Sequence, residues 1–265
     1  MPQLQRLAIA PSQLQDQEIL LTTGQYHYLS RVLRLREGDR FIVIDGQGSW
    51  WLAVLTQSKA QILEPISIQT ELPVSITLIA ALPKGNGFDE VVRCCTELGV
   101  SCIAPVISDR TLLNPSPQKL ERWRRIAIEA AEQSERQIVP TILDPVPFVT
   151  RLSSVISDTS VNNQQYICVA RGDSARLIDC LNDIDALAAC RRLGQMTNDI
   201  AVLAACRRLG QTIVIATGPE GGWTNTEVEK AIARGFQPVS LGRRILRAVT
   251  APIVAVSLVA TIFES

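Results

Sequence analysis

The segment TIVIATGPEGGWTNTEVEKAI, residues 212–232, places a strand pattern, a glycine-rich loop and a helix pattern in direct succession. Residues 212–216 form a short apolar run with β-branched side chains, which is typical of a buried strand. Thr224 followed three residues later by Glu227 is the pattern of a helix N-cap with a capping box. A strand that leads at once into a helix indicates an α/β fold with a parallel sheet.

The same alternation of strand and helix patterns extends from about residue 73 onward. Further apolar runs with strand character lie at residues 75–82, 101–107, 166–170 and 237–241. We therefore expect a parallel sheet with helices on both faces. Ligands of such sheets bind beyond the carboxyl ends of the strands, so we expect the chemistry in the loops after residues 170, 217 and 241.

Residues 1–72 have a different pattern, with short β-type runs such as RLAIA, FIVID and WWLAVL. One stretch between these runs, GQYHYLSRVLRL, has helical spacing in Tyr28, Val32 and Leu35, with arginines on the other side. The pattern predicts a small β-barrel with one helix. Barrels of this size often bind nucleic acid through their loops and one face.

The overall charge does not point to a particular partner. The chain carries 26 basic and 26 acidic residues, so its net charge gives no reason to expect a polyanion. All but four of the basic residues are arginines. The planar guanidinium suits phosphates and base edges, but genome composition explains the same bias equally well.

Seven cysteines and a single histidine, His27, offer few ligands for a transition metal, and no two cysteines have CxxC spacing. We expect reduced, buried thiols, no metal site, and packing or RNA contact for His27 rather than a role as general base. No segment reaches the roughly 18 apolar residues of a membrane span, and the first residues lack a signal-peptide pattern. The expected location is the cytoplasm.

The loop TGPEGGW, residues 217–223, has the composition of a loop that contacts a ligand through its backbone. Gly218, Gly221 and Gly222 allow amides to approach closely, and Pro219 stiffens the turn. The loop lacks the GxGxxG spacing and the Walker lysine, so dinucleotide and P-loop functions fit poorly. A purely structural turn is the alternative.

A second loop, SLGRRILRAVTAP at residues 240–252, joins a strand end to a helix start near Thr250. Its arginines flank Ile245 and Leu246. Solvation at the surface explains such arginines, but a loop between a strand and a helix favours contact with a ligand.

The pairing of TGPEGG with LGRRILR and TAP about twenty residues later resembles the RsmE family of SPOUT methyltransferases. Similar segments include HYLSRVLRLREGD, LPKG, TELGV and ERWRRIAIEAAEQSER, so the resemblance covers nearly the whole chain. It implies an α/β protein with a PUA-like RNA-binding β-barrel at residues 1–72. It also implies a SPOUT methyltransferase domain at residues 73–265, whose parallel sheet contains a deep trefoil knot.

The resemblance implies S-adenosyl-L-methionine as cofactor, held in the knot. The residues expected to bind it are Thr217, Gly218, Pro219, Gly221, Gly222, Leu241, Gly242, Ile245 and Leu246. The implied reaction is methylation of N3 of a uridine in 16S rRNA, either free or in the assembled small ribosomal subunit. The nearly all-apolar helix pattern after Thr250 must pack on more than one side, and the resemblance implies a homodimer there.

We assign catalysis to Arg247, because a cation near the uracil oxygens favours the N3-deprotonated base. The family usually has a glutamate where this chain has Val249. The proton therefore leaves by another route, such as water or Glu220, unless the family's glutamate is structural. Arg243 and Arg244 are assigned to RNA binding.

In the barrel domain, Arg31, Arg34 and Arg36 are expected to contact RNA phosphates rather than form a merely solvated face. Two other functions stay open. One is an inactive RNA-binding or ribosome-assembly protein of the same fold, suggested by Val249. The other is a doubly wound enzyme that uses TGPEGG as an anion loop for a small phosphorylated ligand.

A nine-residue sequence, LAACRRLGQ, occurs at residues 187–195 and again at residues 203–211. Two copies are too few for a solenoid. We interpret them as a recent tandem duplication, in which the second copy belongs to a helix that covers the sheet and the first is an insertion.

Overall fold

The computed structural model describes residues 4–111, 115–155, 163–183 and 211–264, so most of the duplicated segment lies outside the described residues. The chain divides into two compact units. Unit 1 contains the residues up to Glu71 together with Ala127–Val139, and unit 2 contains Leu72–Ile126 and the residues from Pro140 onward. The sequence predicts one domain for all residues after 72, whereas residues 127–139 belong to unit 1.

The physical reason lies in the contacts of this returning segment within unit 1. The backbone N–H of Ala8 donates to Glu132 Oε1. The buried Arg136 forms an ion pair with Glu71, with Nη2 and Oε2 2.6 Å apart. Helical periodicity alone cannot show that the two halves of one helix pack in different units.

The described residues of unit 1 form a six-stranded sheet with the strand order β1-β4-β5-β6-β3-β2, in which β1 and β4 are parallel and the other pairs are antiparallel. Its strands are β1 (Arg6–Ala8), β2 (Leu14–Gln15), β3 (Glu18–Leu20), β4 (Arg40–Ile44), β5 (Trp50–Thr56) and β6 (Lys59–Ile66). Phe41, Val43 and Leu55 belong to the apolar core, since alternate residues of β4 and β5 point inward.

The helix α1 (Thr23–His27) continues into a π-type turn at Tyr28–Val32. Leu29 is fully buried, but Val32 is 59% exposed. The prediction that Val32 shares a helix face with Tyr28 is therefore wrong, because the wider π turn shifts the phase of the side chains.

Unit 2 contains a parallel sheet with the order β10-β8-β7-β12-β11-β13, and β9 pairs with β8. Every pairing between the described strands of this sheet is parallel. The strands are β7 (Ser75–Ala81), β8 (Cys102–Ile107), β9 (Thr141–Ile142), β10 (Val146–Pro147), β11 (Asn163–Cys168), β12 (Thr212–Thr217) and β13 (Gln237–Val239).

The helices of the α/β region cover both faces of this sheet, as the sequence predicts. Ile79 and Ala80 are adjacent in β7 and both buried, as expected for a strand covered on two sides. The helices are α2 (Gly87–Glu97), α3 (Pro117–Gln133), α4 (Phe148–Val155), α5 (described at 177–183), α6 (Asn225–Ile232) and α7 (Thr250–Phe263).

Helix α7 begins at Thr250, where the sequence predicts it, and packs against α2, β7 and β12. Its first turn lies near the carboxyl end of β7, because a Cβ placed at Gly87 would lie 2.7 Å from Val249 Cγ2 and 3.5 Å from Pro83 Cγ. No helix among the described residues is long and apolar enough to cross a membrane.

Candidate cofactor and RNA site

The carboxyl ends of the parallel strands bring three sequence-predicted loops to one edge of the sheet. These loops are residues 169–176 after β11, 218–224 after β12 and 240–249 after β13. After β13 the chain leaves the sheet, and the next element is helix α7. This helix starts near Pro83, which follows β7 in the chain. Since β11 and β12 lie between β13 and β7, residues 240–249 cross the carboxyl ends of those two strands.

The loop after β12 is a tight turn that leads directly into α6. Gly222 has a φ of +68°, and its N–H donates to Pro219 O at 2.8 Å. Thr224 caps α6, and Glu227 completes a capping box with it. The predicted capping box is confirmed. It could be predicted from the sequence because capping depends on side chains only three residues apart.

Gly218 lies against an aromatic pair. A Cβ at Gly218 would lie 3.2 Å from Trp223 Nε1, so a larger residue there meets the indole ring. Trp223 stacks on Phe148, with centroids 4.2 Å apart and the planes inclined by 24°. Its Nε1 is buried and has no hydrogen-bond acceptor within the described residues. The loop thus has a rigid aromatic support and an unused buried donor.

The loop after β13 has few backbone hydrogen bonds among the described residues. Gly242 has a φ of +120°, and its N–H donates to Ser240 Oγ at 3.1 Å. From residue 243 to residue 249, no backbone N–H donates to an acceptor within the described parts of the chain. A run of free amides in a loop held between a strand and a helix suits a ligand that is recognised through the backbone.

The loops after β11 and β13 are joined by two backbone hydrogen bonds. Ser240 N donates to Ala175 O, and Leu177 N donates to Ser240 O, each at 2.9 Å. Residues 169–177 therefore help to fix the start of the 240–249 loop.

The predicted catalytic arginine is exposed, and its backbone is fixed by the first turn of α7. Arg247 O accepts hydrogen bonds from Thr250 N and Ala251 N at 2.9 Å each. Among the described residues, its guanidinium has neither a hydrogen bond nor an ion pair. Arg243 and Arg244 are also exposed, and Ile245 between them and Arg247 is 67% exposed.

Glu220 is exposed, and its Oε1 accepts a hydrogen bond from Lys84 N at 2.8 Å. This bond joins the loops after β7 and β12. One oxygen of the residue that we considered as a proton acceptor therefore also has a structural role.

Sequence reasoning missed the contribution of the loop after β8. Arg110 Nη1 donates to Gly221 O at 2.5 Å. The partners are 111 positions apart, and a hydrogen bond to a backbone carbonyl leaves no residue pattern to detect. A basic residue three positions after a strand of the parallel sheet was a weak signal.

Comparison with known proteins places this site in a family. Residues 70–260 match the RNA methyltransferase domain, and residues 21–63 match the RNA methyltransferase PUA domain. A ribosomal RNA small subunit methyltransferase E of Synechocystis is 46% identical over 98% of this chain and 78% of its own length. This chain belongs to the RsmE family of RNA methyltransferases.

Other RsmE proteins are less similar in sequence but match over nearly the whole chain. The Bacillus subtilis protein is 27% identical over 95% of this chain and 93% of its own length. The crystal structure of the Neisseria gonorrhoeae protein, bound to S-adenosyl methionine, is 30% identical and covers 98% of both chains with a TM-score of 0.77. The predicted family and α/β fold with an N-terminal PUA-like domain are confirmed.

RsmE membership supports neither of the two other functions that the sequence left open. The predicted RNA-binding arginines of unit 1, Arg31, Arg34 and Arg36, are all exposed. Arg34 has a φ of +58°, so the chain turns sharply within this group. The roles of the individual site residues and the knot stay predictions.

Proposed function

We propose that the protein transfers the methyl group of S-adenosyl-L-methionine to N3 of a uridine in 16S rRNA. The observation that carries the proposal is the run of unpartnered backbone amides at residues 243–249, which crosses the carboxyl ends of β11 and β12 in an RsmE family member. The similar N. gonorrhoeae protein is bound to S-adenosyl methionine. The similar Synechocystis protein is named for ribosomal RNA of the small subunit.

The residues present fit this cofactor. Its adenine, hydroxyl and amino acid groups offer hydrogen-bond acceptors to free amides, and Gly242 has open space where a Cβ would be. The residues that would hold it are Thr217, Gly218, Pro219, Gly221, Gly222, Leu241, Gly242, Ile245 and Leu246. When bound, the cofactor supplies a methyl group on a positively charged sulfur.

The protein's own residues act on the acceptor base. Arg247 has a free guanidinium at the carboxyl edge of the sheet, and it would stabilise negative charge on the uracil oxygens when N3 loses its proton. The proton passes to water or to Glu220, whose Oε2 has no hydrogen-bond partner within the described residues. Val249 packs beside Gly87, which supports a packing role at this position rather than proton transfer.

The exposed arginines would hold the RNA. Arg243 and Arg244 flank the reaction site, and Arg31, Arg34 and Arg36 provide a second set of cations in unit 1. Guanidinium groups bind phosphates with paired hydrogen bonds, so these contacts orient the RNA without reading its sequence. The substrate is 16S rRNA, free or within the assembled small subunit, in the cytoplasm.

Helix α7 would form a homodimer interface. Pro252, Ala255 and Val256 are buried within the protein, whereas other apolar residues of the helix stay half-exposed. The half-exposed apolar residues are Ile253, Val254, Leu258, Ile262 and Phe263. A second copy would cover this apolar surface.

The test measures methylation with purified components. Wild-type protein is incubated with methyl-labelled cofactor and either deproteinised 16S rRNA or small subunits lacking the modification, and the nucleosides are then separated. We expect label in N3-methyluridine. Label in a different nucleoside, or none with either substrate, contradicts the proposal.

The Arg247→Ala variant tests the catalytic assignment. We expect turnover to fall by about 100-fold or more, with cofactor affinity within about tenfold of wild type, because the guanidinium acts chiefly in the transition state. Steady-state kinetics and calorimetric titration measure the two effects. Equal losses in turnover and affinity would assign Arg247 to cofactor binding or folding instead.

A further inference from the structure

The loop after β8 contacts the loop at residues 217–222 through Arg110 and the start of α6 through Asp109. We propose that Arg110 is a positioning residue, which holds the loop at residues 217–222 in the conformation that binds the cofactor. This inference rests on the proposed function of residues 217–222.

The first contact is between a guanidinium and a backbone carbonyl. Arg110 Nη1 donates to Gly221 O at 2.5 Å. The aliphatic part of the same side chain covers Gly221, since a Cβ there would lie 3.1 Å from Arg110 Cδ. A hydrogen bond from a charged donor is stronger than one between neutral groups, so it fixes the direction of the carbonyl.

The second contact anchors the neighbouring residue to the start of α6. Glu227 is 2% exposed, and its carboxylate accepts from Asp109 N at 3.0 Å and from Thr224 N at 2.8 Å. Thr224 Oγ1 lies 3.1 Å from Asp109 Oδ2. Because Asp109 is held by this buried carboxylate, the backbone that carries Arg110 has a defined position relative to the loop.

A third bond holds the loop from the other side, where Lys84 N donates to Glu220 Oε1. Glu220 and Gly221 are thus tied to the loops after β7 and β8, the two strands next in order beyond β12. The backbone N–H groups of Glu220 and Gly221 have no acceptor within the described residues. The ties restrain the loop that carries these two free donors before a ligand arrives, which lowers the entropic cost of binding.

Loss of the Arg110 tie should weaken cofactor binding without changing the chemical step. For Arg110→Ala we expect the Kd for S-adenosylmethionine and S-adenosylhomocysteine to rise about five- to thirtyfold, as for one partly exposed charge-assisted hydrogen bond. The KM for the cofactor should rise in parallel. At saturating cofactor, kcat should stay within about threefold of wild type, since Arg110 does not touch the reacting atoms.

Two further variants are compared with Arg110→Ala: the conservative replacement Arg110→Lys and the control Arg234→Ala. Lysine keeps a cation and part of the stem, so it should restore part of the lost affinity. Arg234 is exposed after α6 and away from the loop in sequence, and its replacement removes the same charge. This control should bind the cofactor within about twofold of wild type, which separates the local tie from long-range electrostatics.

Calorimetric titration of all four proteins with S-adenosylhomocysteine, and steady-state kinetics with S-adenosylmethionine, test the inference. Wild-type affinity in Arg110→Ala overturns it, as does a fall in kcat as large as the rise in Kd. No binding by the wild-type protein overturns the proposed function and the inference together. If Arg110→Ala does not fold, Arg110→Lys decides: an unchanged Kd at unchanged Tm overturns the inference.

Discussion

At the residue scale, glycines were the most predictable part of the site. Gly222 and Gly242 both have positive φ, and both stand in motifs that the sequence identifies as loops. Trp223 and Arg110 were not predictable, because their functions depend on partners distant in the sequence. Phe148 and Gly221 become their neighbours only when the strands of the sheet are ordered.

Glu132 is a half-buried acid in unit 1 that the sequence did not single out. Burial raises the pKa of Glu132 to about 7, while the hydrogen bond from Ala8 N opposes this rise and the nearby Glu129 adds to it. The folded protein therefore holds a proton on Glu132 that the unfolded chain loses at lower pH. The stability from the neutral form is fully present below about pH 4.5 and is lost as the pH rises through about 7.

The Glu132→Gln variant should be more stable than wild type above neutral pH. Glutamine keeps an oxygen that can accept from Ala8 N and removes the charge. At pH 8.5 we expect the free energy of unfolding to rise by roughly 1–3 kcal/mol, with little difference at pH 5. Urea denaturation at both pH values measures this. Glu64→Gln, an exposed replacement in the same unit, is the control, and an equal gain at both pH values contradicts the prediction.

At the element scale, the strands and helices of the α/β region followed from local pattern. The capping box of α6 and the start of α7 at Thr250 depend on residues close in sequence. The π turn at Tyr28–Val32 did not follow, since an extra residue in a helical turn leaves no signal in the spacing. This turn exposes the segment that carries Arg31 and Arg34, with Ser30 Oγ bonded to Tyr26 O at 2.7 Å.

This exposed segment should bind RNA through phosphates. Replacing Arg31 and Arg34 together by alanine should weaken RNA binding. Each phosphate contact to single-stranded RNA adds about 0.7 to the slope of log K against log salt, so the loss of two contacts should reduce this slope by about 1.4. Binding of a 16S rRNA fragment across a salt series measures the slope. The matched control replaces two exposed arginines of unit 2, Arg125 and Arg234. If the slopes of the wild type and of the Arg31 and Arg34 variant are equal, these arginines do not contact RNA phosphates and belong to a solvated surface.

At the scale of the whole molecule, the sequence predicted two domains and a parallel sheet but not the order of the strands. β12 lies between β7 and β11, although β8, β9 and β10 come between β7 and β11 in the chain. Long-range pairing depends on which apolar surfaces fit together, which periodicity does not report. The crossing of residues 240–249 over two strand ends follows only from this order.

The duplicated segment meets the described structure at Gln211, whose carbonyl accepts from Ser75 N at 2.9 Å and extends the pairing of β12 with β7. Deleting residues 196–211 joins Gln195 to Thr212. Because both copies read LAACRRLGQ, β12 is then preceded by the same nine residues as before, and Gln195 can replace Gln211 opposite Ser75.

We therefore expect this deletion variant to fold and to bind S-adenosylmethionine with a Kd within about threefold of wild type, since an insertion adds only a small loop-closure cost. Thermal unfolding and calorimetric titration measure both properties. Deleting residues 187–211 removes both copies and serves as the control. It should lose stability and cofactor binding if the second copy forms the helix that the sequence predicts. If the shorter deletion is also insoluble or cannot bind the cofactor, both copies have become part of the structure, and one copy alone is not sufficient.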